Sequence, residues 1–277
     1  MTGTRERRAV FGEAVDAYEA ARPGYPDALV SDVLDYARLD GAPVLEVGAG
    51  TGKATRAFAR RGLDLTCVEP DARMAAVLAQ QCTPFPRTSV VVSGFEQWHP
   101  PVTRFGLLFS AQAWHWVDPA TRWTLACAAL RPGGAMALFW NQFSVTDPAH
   151  HAALTQAHLR HDAAELTPAT LGPSIPGPGR QPTPDPAATA DLATDWPDPE
   201  VSADDRFLDF ETRSYRTRHG FTGERYADLL ASISAYRMLP DEQRAALLAD
   251  IAATVEGLGG TFGLETRTVL YLARTRG

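Results

Sequence analysis

The apolar positions of this chain fall into short unbroken or alternating runs, separated by longer stretches in which apolar residues recur every three or four positions. Runs of that length read as strands and the longer period as helices. The first five runs are Val44–Val47, Leu63–Val68, Ser89–Val92, Phe105–Ser110 and Ala135–Trp140. Helical patterns lie between them, beginning at Ala54 and covering Ala72 to Gln81. Strands that alternate with helices predict an α/β fold built on a parallel doubly wound sheet, with ligands at the carboxyl ends of its strands. After Ser144 the pattern changes. Pro148 to Leu166 reads as one helix carrying His151, His158 and His161 near one face, and Leu171 to Pro182 is too rich in Pro and Gly for regular structure. It reads as a lid or a linker. Order resumes with a strand at Phe207–Tyr215 and a helix capped by Thr222, with Tyr226, Leu229, Leu230, Ile233 and Tyr236 as its apolar stripe. A helix from Pro240 to Glu256 follows, stopped by Gly257, Gly259 and Gly260, and Phe262–Ala273 fits a last strand.

The junction after the first run carries the chemistry. Val44-Leu45-Glu46-Val47-Gly48-Ala49-Gly50-Thr51-Gly52-Lys53 is a strand that stops at an acid and three alternating glycines before a helix starts. Such glycines permit a tight turn and close backbone approach, and the helix amides behind them hold a polar ligand. A phosphate-binding P-loop needs a glycine where Val47 stands and a Ser or Thr where Ala54 stands. The dinucleotide fingerprint needs glycine at Lys53. What remains is acid-x-G-x-G-x-G. The second run ends at Glu69-Pro70-Asp71, where a carboxylate accepts both hydroxyls of a ribose, a geometry shared by nicotinamide and methionine nucleotides.

Leu-Glu-Val-Gly-Ala-Gly-Thr-Gly resembles the first motif of class I S-adenosylmethionine-dependent methyltransferases. That resemblance implies a mostly parallel seven-stranded sheet with an antiparallel last strand and a helical cap, and S-adenosylmethionine as cofactor with S-adenosylhomocysteine as product. It implies that Glu46, Gly48, Ala49, Gly50, Thr51 and Gly52 receive the methionine end, and Glu69 and Pro70 the ribose. Met74, Phe95 and Glu96 fall beside the adenine, and Ser110 and Ala111 close the site from the fourth strand's end. Leu130-Arg131-Pro132-Gly133-Gly134 matches the family's turn before its fifth strand. Upstream, Tyr18-x-x-x-Arg22-Pro23-x-Tyr25-Pro26 resembles the trans-aconitate methyltransferase-like subset, where an N-terminal segment folds over the cofactor. By that similarity Tyr18 and Arg22 face the cofactor, Arg22 pairing with its carboxylate, and Tyr25 lies near the acceptor. Phe11, Tyr18 and Tyr25 are also spaced to pack as one helix stripe. The organisation expected is a lid at residues 1–40, a cofactor-binding core at 41–145, a cap at 146–204, and strands and helices completing sheet and cap at 205–277.

Methyl transfer is an in-line displacement, so the main task is to hold a nucleophile about 3 Å from the methyl carbon. A base is needed only where the acceptor must lose a proton. His115, in Trp114-His115-Trp116 at the fourth strand's end, is the candidate, either as a base with Tyr25 or as a neutral residue shaping the pocket floor. Trp114, Trp116 and Trp140 sit at neighbouring strand ends, and Phe11, Phe143, Trp196 and Tyr236 join them as candidate acceptor contacts. Aromatic walls suit an aromatic or indole-type natural product, methylated on carbon or nitrogen in secondary metabolism. The alternative is a polyacid resembling trans-aconitate, methylated on a carboxyl oxygen and clamped by Arg160, Arg180 or Arg237. A nicotinamide-dependent reductase or a non-catalytic binding module would use the same sheet. Lys53 stands against the first, and Glu46 and Glu69 against the second.

Composition narrows the partners. The 277 residues carry a net charge of -7 and a sequence pI of about 5.5, so no basic footprint points to nucleic acid or an anionic membrane. Cys67, Cys82 and Cys127 show no C-x-x-C spacing and read as reduced thiols, and the histidine spacings lack a metal framework. No apolar stretch has the length of a membrane span and the first residues are charged, which gives the expectation of a soluble, cytoplasmic protein acting on a small molecule.

Overall fold

The computed structural model describes residues 22–99, 104–168, 201 and 204–276. Seven strands form one sheet in the order β3-β2-β1-β4-β5-β7-β6, where β1 is Val44–Val47, β2 Leu65–Glu69, β3 Thr88–Val92, β4 Phe105–Ala111, β5 Leu130–Val145, β6 Phe207–Thr222 and β7 Thr261–Thr275. The first five strands are parallel, while β7 runs antiparallel between β5 and β6. Strand order reverses between β1 and β4, and the carboxyl ends of those two strands open the crevice where doubly wound sheets take ligands.

The helices are α1 Asp27–Ala37, α2 Lys53–Ala59, α3 Ala72–Cys82, α4 Arg122–Ala129, α5 Pro148–Arg160, α6 Gly223–Ala231, α7 Ser234–Arg237 and α8 Asp241–Gly257. Strand residues of one parity face α1, α2 and α3. There Leu107, Phe109, Ala137 and Phe139 bury Phe58, Leu29 and Leu78, and the Phe58 and Phe109 rings stack at 4.1 Å between centroids. Residues of the other parity, among them Leu108, Leu138 and Trp140, pack with Trp114 and Trp123 into a second core. Each fully buried Leu or Phe in these layers contributes roughly 1.5–3 kcal/mol.

A third core belongs to the cap. Beyond Trp140, β5 continues with Phe143 and Val145, and β7 begins with Phe262 and Leu264; α5, α6 and α8 close over them with Leu154, Leu229, Leu230, Leu247 and Ile251. The two long strands thus carry both the main sheet and the floor of the cap.

The structure differs from the sequence reading in extents. β5, β6 and β7 all outrun their apolar runs, because antiparallel pairing with β7 holds the polar Asn141, Gln142 and Ser144 in register with Thr268, Arg267 and Glu265. The helix expected to reach Leu166 ends at Arg160, where Asp162 adopts φ 52° and a short 3-10 turn over Ala164–Leu166 follows. The stripe that includes Tyr236 is split between α6 and α7. Thr222 caps α6 as expected, its hydroxyl accepting from Arg225 N at 3.2 Å. The Leu171–Pro182 segment lies outside the described residues. Among them, no helix is long and apolar enough to cross a membrane.

Candidate active site

Gly48, Gly50 and Gly52 have φ of 71°, 58° and 93°, the left-handed region that glycine enters without steric cost. Two of them are also required by contact. A Cβ on Gly48 would lie 2.4 Å from Ala113 Cβ, and one on Gly52 would lie 2.7 Å from Leu78 Cδ1. Gly50 is different: a Cβ there meets nothing within 4 Å, so the middle of the loop faces open space. The loop is fixed to β2 by Gly48 N and Ala49 N, both donating to Val68 O. Thr51 and Gly52 are buried behind it, and Gly52 N donates to Ala49 O at 3.0 Å.

Two carboxyl groups flank the loop. Glu69 is buried and accepts from Gly50 N at 2.8 Å through one oxygen and from Asp71 N at 2.9 Å through the other. The Asp71 carboxylate caps α3, taking the amides of Arg73 and Met74. Glu46 is 1% exposed, and its Oε2 accepts from Thr55 Oγ1 at 2.6 Å and from Cys67 Sγ at 3.6 Å. Its Oε1 is buried with no hydrogen-bond partner. Burial pushes the Glu46 carboxyl up to about 8, against the hydrogen bonds of Thr55 and Cys67 and with help from the Glu69 charge. An unmatched buried acceptor beside an open glycine turn fits a ligand that brings a donor or a cation, and the Glu69 carboxylate fits a diol. The residues therefore suit a nucleoside with an ammonium or sulfonium end.

The adenine-side candidates lie beyond Glu69. Met74 and Phe95 are buried, Pro70 is exposed at the rim, and Glu96 Oε1 accepts from Asp118 N at 3.0 Å. Ser110 is buried with its hydroxyl donated to Val47 O at 2.8 Å, which ties β4 to β1 and spends the group the sequence assigned to the cofactor. Ala111 is half-buried beside it.

His115 sits on the 3-10 turn Trp114–Trp116, its ring 4.7 Å from Trp116. Trp140 Nε1 donates to His115 Nδ1 at 3.4 Å, which leaves the neutral ring's proton on Nε2. Burial first, and then the charges of Arg122 and Arg22, lower the His115 pKa to about 4. Of the two roles left open by the sequence, the lowered pKa and the Trp140 bond favour the neutral pocket residue over the base.

Three aromatic candidates are core residues here. Trp114 and Trp140 are 2% and 4% exposed in the second core, and Phe143 belongs to the cap core. Tyr236 is likewise buried under the cap, its hydroxyl donating to Leu166 O at 2.8 Å and lying 2.6 Å from His158 Nε2. That leaves it no polar atom for a substrate. His158 is likewise buried, with Nδ1 2.7 Å from Leu154 O. Trp116 and Tyr25 remain half-exposed, and the Tyr25 ring meets Phe139 edge-on at 4.8 Å. Arg22 reaches across to the cap, where its Nε and a terminal nitrogen donate to Ser232 Oγ and O at 3.0 and 2.9 Å. Phe11, Tyr18, Trp196 and Arg180 lie outside the described residues.

One residue at the crevice escaped sequence reading. Gln112 follows β4 with φ 60°, and its side-chain Nε2 donates to Asn141 O at 3.2 Å. The signal available was the position alone, at a strand's carboxyl end opposite the glycine loop.

Residues 44–134 match a family model described as a methyltransferase domain. An uncharacterized methyltransferase of Mycobacterium tuberculosis is 39% identical over 137 residues, which are 50% of this chain and 54% of the relative. The chain thus spans about half the length of the curated relatives it matches. Among solved structures, a candidate type II methyltransferase of Anaeromyxobacter dehalogenans aligns over 91% of this chain and 97% of its own, with a TM-score of 0.59 and 20% identity. Phosphoethanolamine N-methyltransferase 2 of Haemonchus contortus, solved with S-adenosyl-L-methionine, aligns over 99% of this chain and 61% of its own, with a TM-score of 0.52 and 14% identity.

Proposed function

We propose that this chain is a class I S-adenosylmethionine-dependent methyltransferase and moves a methyl group from S-adenosylmethionine to a small-molecule acceptor held between the carboxyl ends of β4 and β5 and the cap. The observation that carries this reading is the pairing of an open, left-handed glycine loop with two buried carboxyl groups, one of which has an oxygen without a partner. Glu69 is the group for the ribose hydroxyls, the Gly48–Gly52 backbone lies under the methionine end, and Glu46 meets its cationic character. The bound cofactor supplies an electrophilic methyl on a sulfonium.

The residues of the chain do the positioning. Trp116 and Tyr25, half-exposed at the crevice, support a flat acceptor, indole-type natural products among them. His115 donates Nε2–H to the acceptor and does not remove a proton, because the lone pair of Nδ1 is taken by Trp140 and burial makes the ring a weak base. The polyacid reading has weaker support, since Arg160 is held by Asp250 at 2.9 Å on the cap. The test is production of S-adenosylhomocysteine from S-adenosylmethionine with a panel of heteroaromatic amines, phenols and polyacids, read by mass spectrometry. Turnover with flat acceptors is expected, and turnover with polyacids alone would overturn the acceptor reading.

A further inference from the structure

Gln112 takes up φ 60° where the chain leaves β4. A non-glycine residue at φ 60° is uncommon and strained, and such positions gather at functional sites. The strain falls where the chain leaves β4, and the next residue, Ala113, packs so closely on Gly48 that no Cβ fits there. Gln112 therefore stands beside the cofactor loop, half-buried.

Its side chain is oriented from behind. Asn141 and Thr268 are a cross-strand pair, and Thr268 Oγ1 donates to Asn141 Oδ1 at 2.6 Å. Gln112 Nε2 in turn donates to Asn141 O at 3.2 Å, and Gln112 N to Phe139 O at 3.0 Å. With the amide nitrogen engaged on β5, the carbonyl Oε1 is the polar atom left to meet a ligand. It is a hydrogen-bond acceptor that carries no charge and takes up no proton.

Resting on the methyltransferase reading above, we propose that Gln112 Oε1 accepts a hydrogen from the nucleophilic nitrogen of the acceptor, and that the substrate class is a neutral amine still carrying N–H. The amine lone pair forms the new N–C bond while the C–S bond breaks and its electron pair stays on sulfur. The N–H proton of the methylated ammonium then passes to water, so the step needs no protein base, in keeping with the neutral His115. Gln112 is a positioning residue that turns the lone pair toward the methyl carbon.

The test is crystallographic. Crystals of the protein saturated with S-adenosylhomocysteine are soaked in aniline or in anisole, flat probes that differ in whether the heteroatom carries hydrogen. The expected result is aniline nitrogen within hydrogen-bond distance of Gln112 Oε1, with anisole absent from that place. Gln112→Met should lose the aniline site and keep S-adenosylhomocysteine; Gln112→Glu, which keeps acceptor oxygens, should retain it and serves if the methionine variant does not fold. Anisole seated equally well, aniline absent from wild type, or aniline retained in Gln112→Met would overturn the proposal. Failure of S-adenosylhomocysteine to bind wild type would instead overturn the cofactor reading and, with it, this one.

Discussion

Replacing Glu46 by Gln removes one buried carboxyl and leaves its shape. In the folded chain burial pushes that carboxyl from 4.5 to about 8, so folding favours its protonated form. Below the ordinary carboxylate range both folded and unfolded chains hold the proton and stability is unaffected. As pH rises the unfolded chain ionises first, and stability is lost at about 1.4 kcal/mol per pH unit until the folded group also ionises near pH 8. The whole loss is about 5 kcal/mol, of which roughly 2–3 kcal/mol falls between pH 6 and 8. For a chain of this size that corresponds to a melting temperature about 5–10 °C lower at the upper end of the window. The Gln variant has no such titration, so the difference between wild type and variant isolates Glu46 from every other ionisable group. Differential scanning calorimetry of both proteins across this pH range is the assay. Parallel curves would refute the reasoning and mean that Glu46 ionises normally. A matching expectation is release of a proton on S-adenosylhomocysteine binding at pH 7, measured by calorimetry in buffers of different ionisation heat.

Gly48→Ala and Gly50→Ala should separate contact from backbone strain: both impose positive φ, but only the first drives a Cβ to 2.4 Å from Ala113, so it should abolish cofactor binding and lower the melting temperature far more. Equal effects in thermal melts would argue against the close packing. Tyr236→Phe strands Leu166 O and His158 Nε2 in the cap core and should cost about 1–3 kcal/mol in denaturant unfolding, with the Michaelis constant for the acceptor unchanged once folded. A raised Michaelis constant at full stability would return Tyr236 to the substrate site. For His115, nitrogen NMR should show the Nε2–H tautomer from pH 6 to 8, and kcat/KM should carry no inflection from this group, because its proton is lost at about 4. An inflection near 6.5 that disappears in His115→Asn would contradict it.

The glycine loop, Glu46, Glu69 and the alternation of strands with helices were legible in the sequence because each is local: an apolar run, a turn that needs positive φ, a carboxylate at a strand end. The far half of β5 was not, since Asn141, Gln142 and Ser144 are polar and become strand only through pairing with β7, more than a hundred residues away. The tryptophans show the same limit. Position put Trp114, Trp116 and Trp140 at one edge, but side-chain direction buries two of them against Trp123 and Tyr271 and leaves Trp116 half-exposed. The His115 pKa also depended on fold, because its burial and the Arg122 and Arg22 charges come from separate elements. Gln112 had no motif of its own; its left-handed backbone and its bond to Asn141 exist only in three dimensions.

Cofactor binding on the glycine loop is tested most directly by isothermal titration of wild type and Glu69→Ala with S-adenosylmethionine, S-adenosylhomocysteine and NADH. Loss of a carboxylate proposed to meet the ribose hydroxyls is worth roughly 1.5–3 kcal/mol, about a ten- to hundredfold weaker affinity. The expected result is that wild type binds the two methionine nucleotides and not NADH, and that Glu69→Ala binds them weakly. Binding of NADH alone, or of the methionine nucleotides with no dependence on Glu69, would contradict the site as described.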